Sequence, residues 1–367
     1  MLKPDPHLHI VILAGGIGSR FWPASTPTRP KQLLPLASSR SLIEDTVGRA
    51  LDLVPRDRLR ILAGAHLVDP FRTALEEEGH ELFWIEPRAR GTGPVLAWAA
   101  ARLLQEDPEA VMISLHADHY ISPKDSFLKL LSDAGELARS SDLLLTVAVP
   151  PDRPETGYGY LRTGEPLASP SSGGDGDRLK AWRLGAFVEK PDRATAEDYL
   201  RRGYLWNSGI FIWRAQRFLE EVRLHAPEIG AHLPLLERGE DELFFERVPH
   251  ISVDEAVLER SGRIGTVQAT FEWDDVGSWD ALPRTRTGDE NGNVLEGEAR
   301  VVEGTENVVW AEDGPVVLFG VDGLVVARSG GVTLVTSRER AVDLKELVGR
   351  LPVHLAEPRP SEGDREG

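Results

Sequence analysis

The 367-residue sequence contains no cysteine. That absence excludes disulfides, zinc–thiolate centres and a cysteine nucleophile. It fits the cytoplasm better than a disulfide-built secreted fold, so a cytoplasmic location is expected. No run reaches the roughly 18 apolar residues that span a bilayer. The short apolar run after MLKPDPHLH, Ile10 to Ala14, is about half a signal-peptide core, so no membrane association is expected. Basic residues are outnumbered, 42 Lys and Arg against 59 Asp and Glu, for a formal charge of −17. A field of that sign repels a polyanion and argues against a nucleic-acid partner. What is present is a globular composition, 41% hydrophobic and 28% charged, of a length that suggests two domains.

Apolar runs at Ile10–Ala14, Arg60–Ala63, Glu81–Ile85, Ala110–Leu115 and Leu143–Val149 read as strands. Between them Leu42–Leu53, Pro70–Gly79, Val95–Gln105 and Ser126–Arg139 carry helical spacing. This rhythm predicts an α/β, Rossmann-like domain built on a mixed, mostly parallel central sheet. Its ligand crevice should lie beyond the carboxyl ends of the strands. Glu165–Arg178 is a polar Gly/Ser/Pro loop with little to bury and is expected to be mobile. Further strands are expected at Trp182–Val188 and Ser208–Trp213, with helices at Thr195–Arg202, Ala215–Leu224 and, after Ser252, within His250–Arg260. Beyond residue 288 four short Val-rich runs follow, Asn307–Trp310, Val316–Phe319, Leu324–Arg328 and Val332–Thr336. A last helix is expected at Ala341–Val348, and the final residues should fray. The expected division is a larger domain over 1–288 and a small β-rich domain with a terminal helix over 289–367. The strands of that appendage could pair within one subunit or between two, so a homodimer is one arrangement open to it.

The strongest local signal is Leu13-Ala14-Gly15-Gly16-Ile17-Gly18-Ser19-Arg20, followed by Pro30-Lys31-Gln32. Glycines directly after a strand let the backbone turn tightly and present successive N–H groups to an anion. Arg20 and Lys31 add positive charge to the same anion, one as a fork and one as a point charge. The loop ends in Gly-Ser-Arg, not the Gly-Lys-Ser/Thr of a Walker loop. Its glycine spacing does not match the dinucleotide fingerprint either.

Two carboxylates are candidates for a hard divalent ion. Asp118 follows the strand Ala110–Leu115, and Asp275 sits in Trp273-Asp274-Asp275-Val276-Gly277-Ser278-Trp279. Magnesium is commonly held by one or two carboxylates plus substrate phosphates. His116 and His119 flank Asp118, but no third residue is spaced to complete a zinc site with them. Three further segments border strands. In Pro154–Tyr160, Gly159 can bring backbone against a ligand hydroxyl. In Phe187–Pro191, Glu189 can accept from hydroxyls and Lys190 can meet a phosphate. In Leu205–Gly209, Asn207 can bridge hydroxyls.

Together these stretches resemble the sugar-1-phosphate nucleotidyltransferase family, in particular its branch that activates mannose 1-phosphate. The likeness is carried by LAGGIGSRFWPAS with PKQ, EPRARGTGP, HADHYI, PETGYGY, FVEKP, LWNSGIFIW, SVDEAVLE and DDVGSW, and it covers roughly residues 10 to 350. The resemblance implies a GT-A-like fold and transfer of GMP from GTP to mannose 1-phosphate. It implies that Leu13, Ala14, Gly15, Gly16, Gly18, Ser19, Glu86, Gly91, Thr92 and Asp118 hold GTP. Arg20, Lys31 and Lys190 would be catalytic, Gly159, Glu189 and Asn207 would hold the sugar, and Asp118 and Asp275 would hold Mg2+. The sequence departs from the family at Gly91-Thr92-Gly93-Pro94, where relatives carry Asn-Thr-Ala-Pro. It also has His116-Ala117-Asp118-His119 in place of Pro-Ala-Asp-His. Some relatives carry a fused isomerase module. The stretch after Asp289 is too short for one, so a single activity is expected. The alternatives are a related enzyme using another sugar or base, and a silent GDP-sugar-binding regulator.

Overall fold

The structure is a computed structural model that describes residues 5–16, 18–76, 81–168 and 178–357. In the first half, strands β1 (Leu8–Leu13), β2 (Leu59–Gly64), β3 (Phe83–Glu86) and β4 (Val111–His116) alternate with helices α1 (Leu42–Leu51), α2 (Ala65–Ala74) and α3 (Thr92–Glu106). Then come the short strand β5 (Tyr120–Ser122), helix α4 (Lys124–Ser140) and strands β6 (Leu144–Val149), β7 (Tyr160–Pro166) and β8 (Ala181–Val188). Helix α5 (Arg193–Arg201), strand β9 (Leu205–Arg214) and helix α6 (Ala215–His225) follow. A run of short helices between Pro227 and Leu258 leads to β10 (Ile264–Gln268) and β11 (Glu272–Asp274). The chain ends in four strands, β12 (Val294–Val302), β13 (Val308–Phe319), β14 (Leu324–Ser329) and β15 (Val332–Ser337), and short helices.

The central sheet has nine strands in the order β3-β2-β1-β4-β9-β6-β10-β8-β7. Strands β9 and β8 run against the other seven, so the sheet is mixed and largely parallel in direction, as expected. Apolar clusters cover both faces. Strand β1 is buried along its whole length, with Ile10 and Ile12 in one cluster and Val11 and Leu13 in the other. That is the signature of a strand covered on both sides, and it explains the continuous apolar run in the sequence.

Three expectations need correction. Helix α2 begins at Ala65, five residues before Pro70, which lies inside it. Burial of Leu67, Val68 and Phe71 holds the first turn that the proline reading leaves out. Its expected end at Gly79 lies outside the described residues. The runs at 307–310 and 316–319 are one strand, β13, whose pairing with β12 slips between Gly297 and Ala299. An irregularity of that kind lets a strand carry polar residues mid-course without ending. The segment after Ser252 forms a five-residue π-helical turn, Asp254–Leu258, rather than a longer α-helix. Most of the 165–178 loop and the final ten residues lie outside the described residues.

In the C-terminal sheet β12, β13 and β14 run parallel, and β15 closes it antiparallel. Successive short parallel strands need corners, and here asparagines build them. Asn293 Oδ1 accepts from Asn307 N and Nδ2, both 3.0 Å, and Asn307 Oδ1 accepts from Leu324 N at 3.0 Å. The result is a small β-helix-like coil.

This coil shares a core with the larger unit. Phe21, Trp22, Leu34 and Trp279 pack with Trp310, Val325 and Leu334 in one cluster. Trp279 lies edge-on to Phe21, with centroids 5.1 Å apart, and tilted against Trp310 at 5.4 Å. Trp310→Ala should therefore cost about 3–5 kcal/mol. It should lower one common calorimetric transition; a lowered early transition with an unchanged main one would show that the shared cluster does not couple the units.

Candidate active site

The glycine loop leaves β1 at the carboxyl edge of the sheet. Gly15 and Gly16 are exposed, and Gly18 adopts φ +72° to cap a short 3-10 turn, Ser19–Phe21. Ser25 Oγ donates to the Gly18 carbonyl at 2.7 Å. A Cβ on Gly18 would lie 2.3 Å from Lys31 Cβ. Glycine is thus required there twice, by handedness and by the close approach of Lys31. Ala14 is buried, Ser19 half-buried and Arg20 exposed.

Lys31 packs its stem against the loop at Gly18, but its ammonium is already engaged within the protein. It is buried, and its ammonium donates to the carbonyls of Asp275 and Val276, each at 2.8 Å, and to Asp118 Oδ2 at 2.9 Å. All three of its protons are used. The two segments meet because β5 and β11 pair antiparallel, with Tyr120 opposite Asp274 and Ile121 opposite Trp273. This two-stranded ribbon carries Asp118 and Asp275 to one place.

Burial would raise the Asp118 carboxyl, but Lys31 and the flanking histidines reverse that and hold it at about 2. Asp275 goes the other way. Burial raises it, Lys31 opposes, and the neighbouring Asp274 and Asp118 charges add to the rise. Asp275 Oδ1 accepts from the Tyr158 hydroxyl at 2.6 Å. Burial and then the Asp275 and Asp274 charges push that phenol upward, so it stays a donor. Val276 sits at φ +47°, costly for a β-branched residue. Its N–H donates to Asp274 Oδ1 at 2.8 Å, and Asp274 in turn accepts from Arg284 Nε at 2.6 Å. Arg153 lies 3.6 Å from Asp274 and over the Trp206 ring.

His116, Asp118 and His119 have ligand atoms within 4.8 Å of one another, so the third partner that spacing alone does not supply is Asp118 itself. Donors of this group already have partners. Lys31 already occupies Asp118 Oδ2, and the Trp273 indole donates to His119 Nδ1 at 3.1 Å. The rings stack at 4.7 Å, and burial holds both histidines below their ordinary range.

Beside the loop lies a cavity of about 310 Å³. Of the residues expected to hold a nucleotide, Leu13, Gly15, Gly16, Glu86, Gly91, Thr92 and Asp118 line it. Gln32, His116 and His250 line it too, and sequence reasoning missed them. Gln32 stands in the PKQ motif, but nothing local says that its side chain turns into the cavity. Gly91 has φ +80°, and a Cβ there would lie 2.5 Å from the Ile251 carbonyl. Gly93 N donates to that same carbonyl at 3.1 Å, and Thr92 Oγ1 accepts from Val253 N at 2.9 Å. The glycines of the departing 91–94 segment thus let it dock on 251–253. Burial raises the Glu86 carboxyl, against the N–H of Arg90 and the charge of His250. A larger hollow of about 450 Å³ beside Arg40, Arg49 and Lys124 contains none of the expected residues. Its charges pair internally, Arg40 with Asp45 and Lys124 with Asp52.

A second polar cluster, termed the bay, gathers next to Tyr158, whose hydroxyl meets Asp275. Gly159 sits tightly against this cluster: a Cβ there would lie 2.8 Å from Glu189 Oε2 and 3.5 Å from Asn207 Cβ. Asn207 N donates to the Gly159 carbonyl at 2.8 Å. Lys190, exposed and at φ +44°, pairs with Glu189 Oε1 at 2.7 Å, which raises its own pKa. Tyr158, Thr146 and Asp254 also belong to this neighbourhood. Sequence reasoning assigned them no role, although PETGYGY and SVDEAVLE stand out as motifs.

The site thus combines a glycine-rich loop, a cavity beside it and a polar cluster near a carboxylate pair. Residues 9–291 match the Nucleotidyl transferase family, and 297–351 match the MannoseP isomerase/GMP-like beta-helix domain. The chain belongs to the nucleotidyl transferase family and, within it, to the mannose-1-phosphate guanylyltransferase group. It is 35% identical over 352 residues to the mannose-1-phosphate guanylyltransferase of Salmonella montevideo, covering 93% of this chain and 73% of that protein. It is 33% identical over 349 residues to the alginate biosynthesis protein AlgA of Pseudomonas aeruginosa, covering 92% and 71%. A crystal structure from Thermus thermophilus, described as a mannose-1-phosphate geranyltransferase, superposes with a TM-score of 0.83 at 33% identity over 94% of this chain and 99% of that one. Among the described residues no helix is long and apolar enough to cross a membrane.

Asp118 is held below its ordinary value of 3.8, at about 2, so its ionised form stabilises the fold above that range and the contribution is lost as pH falls from about 4 to 2. Asp118→Asn should lower the melting temperature at neutral pH and flatten the acid limb between pH 4 and 2; an unchanged acid slope would contradict the ion pair with Lys31. Gly18→Ala should cost at least about 1–2 kcal/mol from its left-handed backbone alone, measured by denaturant titration.

Proposed function

We propose that the protein transfers GMP from GTP to α-D-mannose 1-phosphate, releasing GDP-mannose and pyrophosphate. The observation that supports this reading is that Asp118 lines the cavity beside the glycine loop while Asp275, brought near it by Lys31, meets Tyr158 next to Gly159. The similarity to mannose-1-phosphate guanylyltransferases supplies the choice of base and sugar. The same reading puts the enzyme in the cytoplasm, with both substrates.

The nucleophile is an oxygen of the sugar phosphate. A phosphate monoester has its second pKa near 6, so at neutral pH it is mostly dianionic. No general base is required. The obstacle is bringing one anion against another, and catalysis rests on alignment and charge neutralisation. The loop N–H groups and the exposed Arg20 face the triphosphate. Lys190, exposed at the rim of the sugar bay, orients the attacking phosphate for in-line displacement. Lys31 neutralises and braces the two aspartate segments.

Asp118 and Asp275 fit a hard divalent ion. Lys31 and the flanking histidines hold Asp118 ionised, and Asp275 is raised by burial with the Asp274 and Asp118 charges adding to it, which a cation would offset. Mg2+ bound there would offset phosphate charge and polarise the α-phosphorus.

Wild-type protein with GTP and mannose 1-phosphate should release pyrophosphate. Asp275→Asn should reduce kcat/KM at least about 100-fold while melting near the wild-type temperature. Normal kcat/KM for Asp275→Asn would sink the metal assignment. Turnover only with another nucleotide or with glucose or fucose 1-phosphate would replace the substrate assignment. Binding of GDP-mannose without any pyrophosphate release would establish the regulatory alternative.

A further inference from the structure

The sugar bay holds a second carboxylate with no role so far. Asp254 opens the π-helical turn Asp254–Leu258, whose Ala256, Val257 and Leu258 are buried. The core beneath therefore fixes where the carboxylate stands. Wide turns of this kind recur at functional sites, where they aim a side chain that a regular helix would turn away.

Asn207 ties Asp254 to the bay. Its Oδ1 accepts from the Thr146 hydroxyl at 2.7 Å, which leaves Nδ2 to donate to Asp254 Oδ1 at 3.0 Å. Asn207 Nδ2 is the side-chain donor to the Asp254 carboxylate, which its own backbone N–H also meets. Glu189 is arranged in the same way. Its Oε1 is held by Lys190 at 2.7 Å, while Oε2 faces Gly159. Each carboxylate thus has one oxygen anchored by a side chain, Asp254 Oδ1 by Asn207 and Glu189 Oε1 by Lys190. Burial and the neighbouring Glu189 charge push the Asp254 carboxyl up to about 7, so the two carboxylates stand close at a cost. A half-buried carboxylate costs free energy unless donors meet its oxygens. Neighbouring hydroxyls on a sugar ring are such donors.

We propose that Asp254 is a direct acceptor for one hydroxyl of the sugar ring and, with Glu189, selects the sugar. The inference rests on the reading of this bay as the sugar-phosphate side.

The test combines Asp254→Asn with mannose 1-phosphates lacking the 2-, 3-, 4- or 6-hydroxyl, in a pyrophosphate-release assay of the full chain. With the parent sugar, Asp254→Asn should raise KM for the sugar phosphate about 30-fold and change KM for GTP less than about 3-fold. Wild type should discriminate against one analogue by about 30-fold or more, and in the variant that penalty should collapse to within about 3-fold while the others persist. Retention of all the analogue penalties in the variant would overturn the proposal. Equal rises in both KM values would do so too, since they indicate a structural role. Melting curves check folding, and Asp254→Ser gives the same comparison if Asp254→Asn does not fold. If wild type prefers another sugar phosphate, the deoxy series of that sugar is used, and coupling there sustains the Asp254 assignment while the mannose reading falls. Turnover with no sugar phosphate at all would overturn both.

Discussion

A buried ammonium holds this site together. Lys31 is out of water, so its charge must be met by oxygen acceptors or the fold bears a desolvation cost of several kcal/mol. The acceptors come from distant parts of the chain, the tip after β4 and the turn after β11. Satisfying one side chain therefore brings Asp118 and Asp275 together and fixes the turn at Val276 in a conformation it would not choose alone. The same requirement explains why Gly18 can carry no side chain, since its Cα lies against the Lys31 stem. The negative net charge of the chain is thus no obstacle to anionic substrates. What they would meet is a local field of braced carboxylates, an ammonium, backbone N–H groups and, in the proposed reaction, a divalent ion.

The turn that accepts from Lys31 also reaches into the shared core. Val276 and Trp279 pack in the cluster that joins the glycine-loop side to the C-terminal coil. Trp279 donates to the Trp22 carbonyl at 3.1 Å, a few residues past the loop. The coil is thus more than an appendage to the catalytic unit. Its Trp310 buttresses the tryptophan that anchors the Asp275 turn, which couples packing in one sheet to the position of a carboxylate in another.

Legibility in the sequence followed locality. The loop from Leu13 to Arg20 could be read because strand, glycines and arginine are consecutive. Asp118 could be read because it ends an apolar run. The sugar-side residues Gly159, Glu189 and Asn207 could be named because each borders a strand. Lys31 was seen as a charge, but its partners lie some 90 and 240 residues away, and no local pattern reveals them. Tyr158 and Asp254 stood in motifs without a role for the same reason. The role of each is set by a contact across the sheet, with Asp275 in one case and Asn207 in the other. Pro70 misled because proline favours a helix start on local grounds, whereas packing of Leu67, Val68 and Phe71 determined where this helix begins.

The sequence by itself determined the alternation of strands and helices, the glycine-rich form of the first loop and the exclusion of thiol chemistry. Periodicity, glycine spacing and residue inventory are properties of neighbours along the chain. Only the tertiary structure decided that Lys31 is a brace rather than a free charge, that β9 and β8 run against the other strands, and that Asp254 meets Asn207. Hydrogen bonding of buried groups and strand pairing link residues by distance in space, and that distance exists only once the sheet has closed.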